Sequence, residues 1–171
     1  MKTLLAFILF ALSSLTYVNA TDNKTIRIST KDTDLILQVG ENGRLYQTYL
    51  GEKLLHEQDL QHFQWNIHAG SDGSVSKRGW EVYSGSGNED FFEPAISITH
   101  HDGNPSTILY YVSSSDKAVE GGTETTILLR DDQYPVEVTL HYIAYPKENI
   151  IKTWSEIRHQ EKKPVTLSSY A

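Results

Sequence analysis

The sequence contains no cysteine. That excludes a disulfide framework and any thiolate metal site. Basic residues are in short supply too. Fifteen Lys and Arg stand against 22 Asp and Glu, for a formal net charge of -7. A nucleic-acid partner needs clustered cations to meet phosphate. The only local concentrations here are Lys77-Arg78 and Lys162-Lys163, which read as solvated loop charges. The seven histidines are dispersed, at His56, His62, His68, His100, His101, His141 and His159, with no HxxxH pair in a helical context. Zinc needs three or four convergent ligands, so neither a metal nor a cofactor is expected. The nucleophile elbow, the P-loop and the dinucleotide fingerprint are all missing. Gly85-Ser86-Gly87-Asn88 lacks the strand-to-helix setting of a phosphate loop and reads as a turn.

What is present begins with the N-terminus. Lys2 supplies a positive charge, and Leu4 to Leu12, LLAFILFAL, is a short apolar run. Ser13 to Ala20, SSLTYVNA, places Val18 and Ala20 at the -3 and -1 positions of a small-residue cleavage site. The pattern predicts a signal peptide over residues 1–20, too short for a membrane span, with mature protein from Thr21. No later stretch is apolar enough to cross a bilayer. An exported chain without cysteine suits a bacterial envelope, so the expected location is secreted or periplasmic.

The rest reads as strands and turns, with little helical periodicity. Ile26 and Ile28 alternate with polar neighbours, as do Leu35, Leu37 and Val39. Gly40 to Gly43 turns that run into Leu45–Leu50, making a hairpin, and Gly51-Glu52 turns the chain again. Gln58 to Trp80 is polar and irregular. Strand patterning returns at Ile96 and Ile98. It continues through Ile108–Val112, Thr123–Arg130, Val136–Tyr145 and Ile150–His159, with Ser113–Gly122 expected as a loop. Val165-Thr166-Leu167 starts another strand, which runs to Ala171 without turn or cap. The sequence therefore predicts an all-β fold, an antiparallel β-sandwich over residues 21–171, as an incomplete N-terminal domain of a longer protein.

Ten Tyr and three Trp offer rings that could stack on sugar C–H faces. Tyr142 and Trp154 fall within strands and are assigned to the core or to sheet packing. Trp65 and Trp80 lie on the irregular segment, where packing and ligand contact are both open. Glu89, Asp90 and Glu93 sit beside Phe91 and Phe92 behind a Gly-Ser-Gly turn. Glycoside hydrolysis with retention needs two carboxylates ~5–5.5 Å apart across the scissile bond. A sandwich loop is a poor scaffold for such a pair, so no catalytic residue is assigned. Asp90 is expected to orient a neighbouring group, with Phe91-Phe92 pinning its loop.

The stretch from Gly79 to Ile98, GWEVYSGSGNEDFFEPAISI, resembles a segment of glycoside hydrolase family 36 α-galactosidases. Glu81, Tyr83, Gly87, Asp90, Phe91, Pro94 and Ala95 follow the family's order, and Phe92 stands where the family usually has Arg. The hairpin GRLYQTYLGEKLLH and the tail from Pro135 to Ala171 are similar to the family as well, so the resemblance spans Ile26 to Ala171. It implies a galactose mutarotase-like β-supersandwich that precedes a catalytic barrel. The family's catalytic aspartates belong to that barrel, so none is carried over to these residues. The implied parent hydrolyses terminal α-D-galactosyl residues of oligosaccharides with retention. The family's N-terminal domain can lend loop residues to the active site of a neighbouring subunit, which makes a homo-oligomer an implied partner. The segment concerned, Asp59 to Arg78, departs from the family. Trp65 and Asp90 are the substrate-binding candidates. A free-standing carbohydrate-binding module and a structural surface domain are the alternatives.

Overall fold

The computed structural model of the chain describes residues 24–63, 80–87 and 93–171. Strands β1 (Thr25–Ser29), β2 (Thr33–Val39), β3 (Leu45–Glu52) and β4 (Trp80–Glu81) form one antiparallel sheet in chain order. Strands β6 (Leu109–Val119), β7 (Gly122–Asp131), β8 (Val136–Tyr145) and β9 (Ile150–His159) form a second. Between them, β5 (Ile96–Thr99) pairs antiparallel with β10 (Thr166–Tyr170). This is the expected antiparallel sandwich.

Side-chain alternation builds its interior. Along β8 every second residue from Val136 to Ala144 is buried, because successive side chains leave a strand on opposite faces. Their cross-strand neighbours on β7 follow, with Ile127 opposite Leu140 and Leu129 opposite Val138. Ile26, Ile28, Leu35, Leu37 and Leu45 of the first sheet meet that layer, and Ile96 and Ile98 of β5 complete it. The sheets stay aligned because this single apolar layer is buried from both sides. A clasp joins the far ends: Thr30 Oγ1, in the turn between β1 and β2, donates to Asn149 Oδ1 in the turn between β8 and β9. Asn149 adopts φ 55°, which the short Asx side chain tolerates.

Four local features depart from the sequence reading. β3 runs straight through Gly51 and Glu52, which pair with Asp34 and Thr33, so the turn falls later. β2 is buried on both faces, including Asp34, Ile36 and Gln38. At its Asp34 end the chain from Lys53 returns past it, the Leu54 amide donating to Asp34 Oδ2 at 2.8 Å, and then forms a 3-10 helix, Glu57–Phe63, within the stretch read as irregular. Arg27 and Asp34 fasten that return. Arg27 Nη2 donates to Asp34 Oδ2 at 2.6 Å and to the Leu54 carbonyl at 2.8 Å, and Nη1 reaches Glu57 at 2.9 Å. Burial pushes the Asp34 pKa up. The bonds from Arg27, Ser29 and the Leu54 amide more than reverse this, leaving it below its ordinary value.

The fourth departure is the largest. Residues Ser113 to Val119 were expected as a loop and instead extend β6, pairing with β7 down to Val119 opposite Gly122. The segment is polar and mostly exposed. Its backbone ladder to β7 and a side-chain bond from Thr125 to Asp116 at 2.7 Å hold it in place.

Candidate functional site

Both substrate-binding candidates lie outside the described residues: Trp65 between Phe63 and Trp80, Asp90 between Gly87 and Glu93. Glu89, Phe91 and Phe92 lie there too. The structure does show what holds the ends of these two segments. The first leaves from Phe63, whose ring rests 4.5 Å from that of Tyr49 on β3. It re-enters at Trp80, which pairs with Gln47 of the same strand. Next to it, Glu81 is bound by the Arg44 guanidinium through Nε at 3.0 Å and also through Nη2, the planar fork that suits a carboxylate. Both side chains are largely buried.

The second segment is held by the other residues of the Trp80–Ile98 motif. Tyr83 is buried in the core and donates its hydroxyl to the Ala171 carbonyl at 2.9 Å, joining β4's continuation to the end of β10. Gly85 lies against Thr107 so closely that a Cβ would sit 1.9 Å from the Thr107 carbonyl oxygen. Gly87 has φ +82°, and a Cβ there would meet Ser106 Oγ at 2.4 Å. No side chain fits at either position. On the far side, the Ala95 carbonyl accepts from the Ala171 amide at 2.9 Å. The described motif residues therefore anchor the chain on either side of residues 88–92.

Sequence reasoning missed a polar cluster behind these anchors. The Glu161 carboxylate, 1% exposed at its side chain, accepts from His100 Nδ1 at 2.7 Å and from His101 Nδ1 at 2.6 Å. It also accepts the His101 amide at 3.1 Å. The His100 ring stacks on Tyr134 with centroids 3.5 Å apart, and the Tyr134 hydroxyl donates to Asp102 at 2.9 Å. Burial pushes the Glu161 pKa up, but the bonds from both histidines and the amide outweigh it and bring it to about 2. The His-His pair before an Asp-Gly-Asn turn was the one visible signal. Its partner stands 61 residues away.

The remaining buried acid is also occupied. Asp131 accepts from the amides of Ile108, Gln133 and Tyr134 and shapes the turn between β7 and β8. Each buried carboxylate described is thus spent on backbone amides, hydroxyls, guanidinium or imidazole groups. A general acid must carry a proton that it can release toward a substrate, whereas Asp34 and Glu161 are held below their ordinary carboxylate pKa. Among the described residues no three His, Asp or Glu side chains are arranged to hold a metal ion. No helix there is long and apolar enough to cross a membrane.

An antiparallel sandwich whose described buried carboxylates are all engaged belongs to the class of non-catalytic all-β domains. The sequence profile of the glycosyl hydrolase family 36 N-terminal domain matches residues 43–171, and the chain belongs to that family. No curated protein matches it in a sequence comparison. Among solved structures it is similar to the α-galactosidase of Lactobacillus brevis, with a TM-score of 0.70 and 18% identity over 86% of this chain and 23% of that one. It is also similar to the GH36 α-galactosidase AgaA of Geobacillus stearothermophilus in complex with stachyose, with a TM-score of 0.72 and 19% identity over 86% of this chain and 24% of that one. The galactosidase domain of the α-galactosidase–sucrose kinase AgaSK gives a TM-score of 0.69 at 20% identity, over 87% and 24%. The chain spans about a quarter of the length of these relatives.

Proposed function

We propose that the chain is the non-catalytic N-terminal sandwich of an exported α-galactosidase-like glycoside hydrolase. The match to the family 36 N-terminal domain over residues 43–171 carries this reading. The fold shared with α-galactosidases, over most of this chain and about a quarter of theirs, supports it. The parent enzyme cleaves terminal α-D-galactosyl residues with retention. That chemistry needs a nucleophile and an acid/base ~5–5.5 Å apart, supplied by residues other than the engaged carboxylates of this domain. The signal pattern of residues 1–20 supports export to the periplasm or the medium.

In this reading the domain serves the reaction by presenting loops. Trp65 and Asp90 sit on segments whose ends are fixed by Tyr49, Arg44–Glu81, Gly85 and Gly87. They contact the galactoside in the assembled parent, either in its own site or in that of a neighbouring subunit. Stems that hold still let a loop residue bind without a large ordering cost.

The test is an assay of two proteins, the 171-residue chain and the full product of its reading frame, on an aryl α-galactoside. The full product is expected to release the aryl group and to give α-galactose first, as followed by proton NMR. The 171-residue chain is expected to release none above buffer. Turnover by the short chain, or none by the full product, would overturn the reading. In the full product, Trp65→Ala and Asp90→Asn are expected to raise KM by more than they lower kcat.

A further inference from the structure

Among the described histidines only His100 is buried, with its side chain 0% exposed. Groups from three connections enclose its ring. Tyr134, in the turn between β7 and β8, lies parallel to it with centroids 3.5 Å apart. Glu161, in the connection between β9 and β10, accepts from Nδ1 at 2.7 Å. The other titratable groups nearby are His101 and Asp102 of the His100 turn itself. His101 shares the Glu161 carboxylate, and Asp102 accepts from the Tyr134 hydroxyl. Glu161, with its pKa at about 2, is ionised well below neutrality, so Nδ1 keeps its hydrogen.

The far nitrogen has two neighbours of opposite character. Nε2 lies 3.1 Å from the Ser106 carbonyl oxygen, which can only accept, and 3.1 Å from Thr107 Oγ1, which can donate. A protonated ring gives its second N–H to the carbonyl. A neutral ring turns a lone pair to the same place and takes the Thr107 hydroxyl. Each protonation state therefore has a partner without any movement of the ring, and histidine is the side chain suited to such an exchange near neutral pH. The two partners belong to a shelf. Gly85 rests against the Thr107 carbonyl and Gly87 against the Ser106 side chain. The Thr107 amide donates to the Ser86 carbonyl at 2.9 Å, and Ser86 Oγ donates to the Pro105 carbonyl at 2.5 Å. Loss of the second ring hydrogen takes from the Ser106 carbonyl the donor that His100 supplies.

We infer that His100 is a proton-operated latch on the Ser84–Gly87 stem. With a hydrogen on Nε2, the ring ties the Ser106 carbonyl to the Glu161 carboxylate and holds the shelf firmly against the stem. Without it, the bond passes to the Thr107 hydroxyl and the shelf loosens. The Tyr134 ring favours the tied state, because an aromatic face attracts a cation laid over it. The latch is thus closed at lower pH and opens as pH rises. None of this depends on the parent-enzyme reading, since every readout below is independent of galactosidase activity.

Exchange of the imidazole C2 hydrogen, read by mass spectrometry against pH in the full product of the reading frame, gives the titration midpoint of each histidine. Thr107→Val removes the donor that serves the neutral ring. The His100 midpoint is expected to rise by about half a pH unit to one, while that of His101, which does not touch Thr107, stays in place. Thr107→Ser keeps the hydroxyl and is expected to restore the native midpoint. Glu161→Gln removes the anion and is expected to lower it. Amide exchange, corrected for its intrinsic pH dependence, reads the stem. Peptides covering residues 84–87 and 105–108 are expected to exchange about three- to tenfold more slowly below the native His100 midpoint than above it. Stem exchange that ignores that midpoint would overturn the inference, and this measurement on the native protein decides alone if Thr107→Val does not fold. A midpoint that Thr107→Val leaves unmoved or lowers would overturn it too. So would a His100 that keeps one protonation state until the protein unfolds.

Discussion

At the scale of single residues, Glu161 has the clearest dependence on solution conditions. Its folded pKa of about 2 lies below the ordinary 4.5, so ionised Glu161 stabilises the folded state. That contribution is complete above pH 4.5 and disappears as pH falls toward 2. Glu161→Gln is therefore expected to cost about 1–3 kcal/mol near neutrality, with the difference from the native chain shrinking as pH drops through this window. Urea melts at a series of pH values read it directly, and a penalty that grows on acidification would contradict the account. Gly85→Ala acts by sterics instead. The new methyl would meet the Thr107 carbonyl at 1.9 Å, and carbonyls cannot move as side-chain tips can. A loss of about 2 kcal/mol or more is expected, with a matching fall in Tm.

Elements are held by pairings that cross long stretches of sequence, and this decided what could be read in advance. β8 and β9 were legible to the residue because alternation, Pro146 and Asn149 mark them locally. The polar half of β6 was not, because its strand character comes from the β7 ladder and its side chains carry no alternation. The 3-10 helix, and the contacts that bury Asp34, depend on a return of the chain that no local pattern encodes. The same holds for the site. Glu81, Tyr83 and Gly87 were noticed as a motif, yet their work as anchors needs Arg44, Ala171 and Ser106, and the first two stand 37 and 88 residues away. The short β4 shows the energetic side. It has two residues, and the Arg44–Glu81 fork secures it to β3. Removing one partner strands a buried charge, so Arg44→Met is expected to cost about 3 kcal/mol or more. A double-mutant cycle with Glu81→Gln should give a coupling of about 1–3 kcal/mol. Additive losses would mean that the pair does not secure the strand.

Across the whole molecule, the bond between Thr30 and Asn149 has a consequence for synthesis. A ribosome makes the chain from its N-terminus, and the first strands are finished long before the residue that clamps them has been translated. Long-range closures of this kind slow folding and leave early segments exposed meanwhile. Nascent chains arrested short of Asn149 should stay open to protease near Thr30, whereas chains stalled well past β9 should resist it.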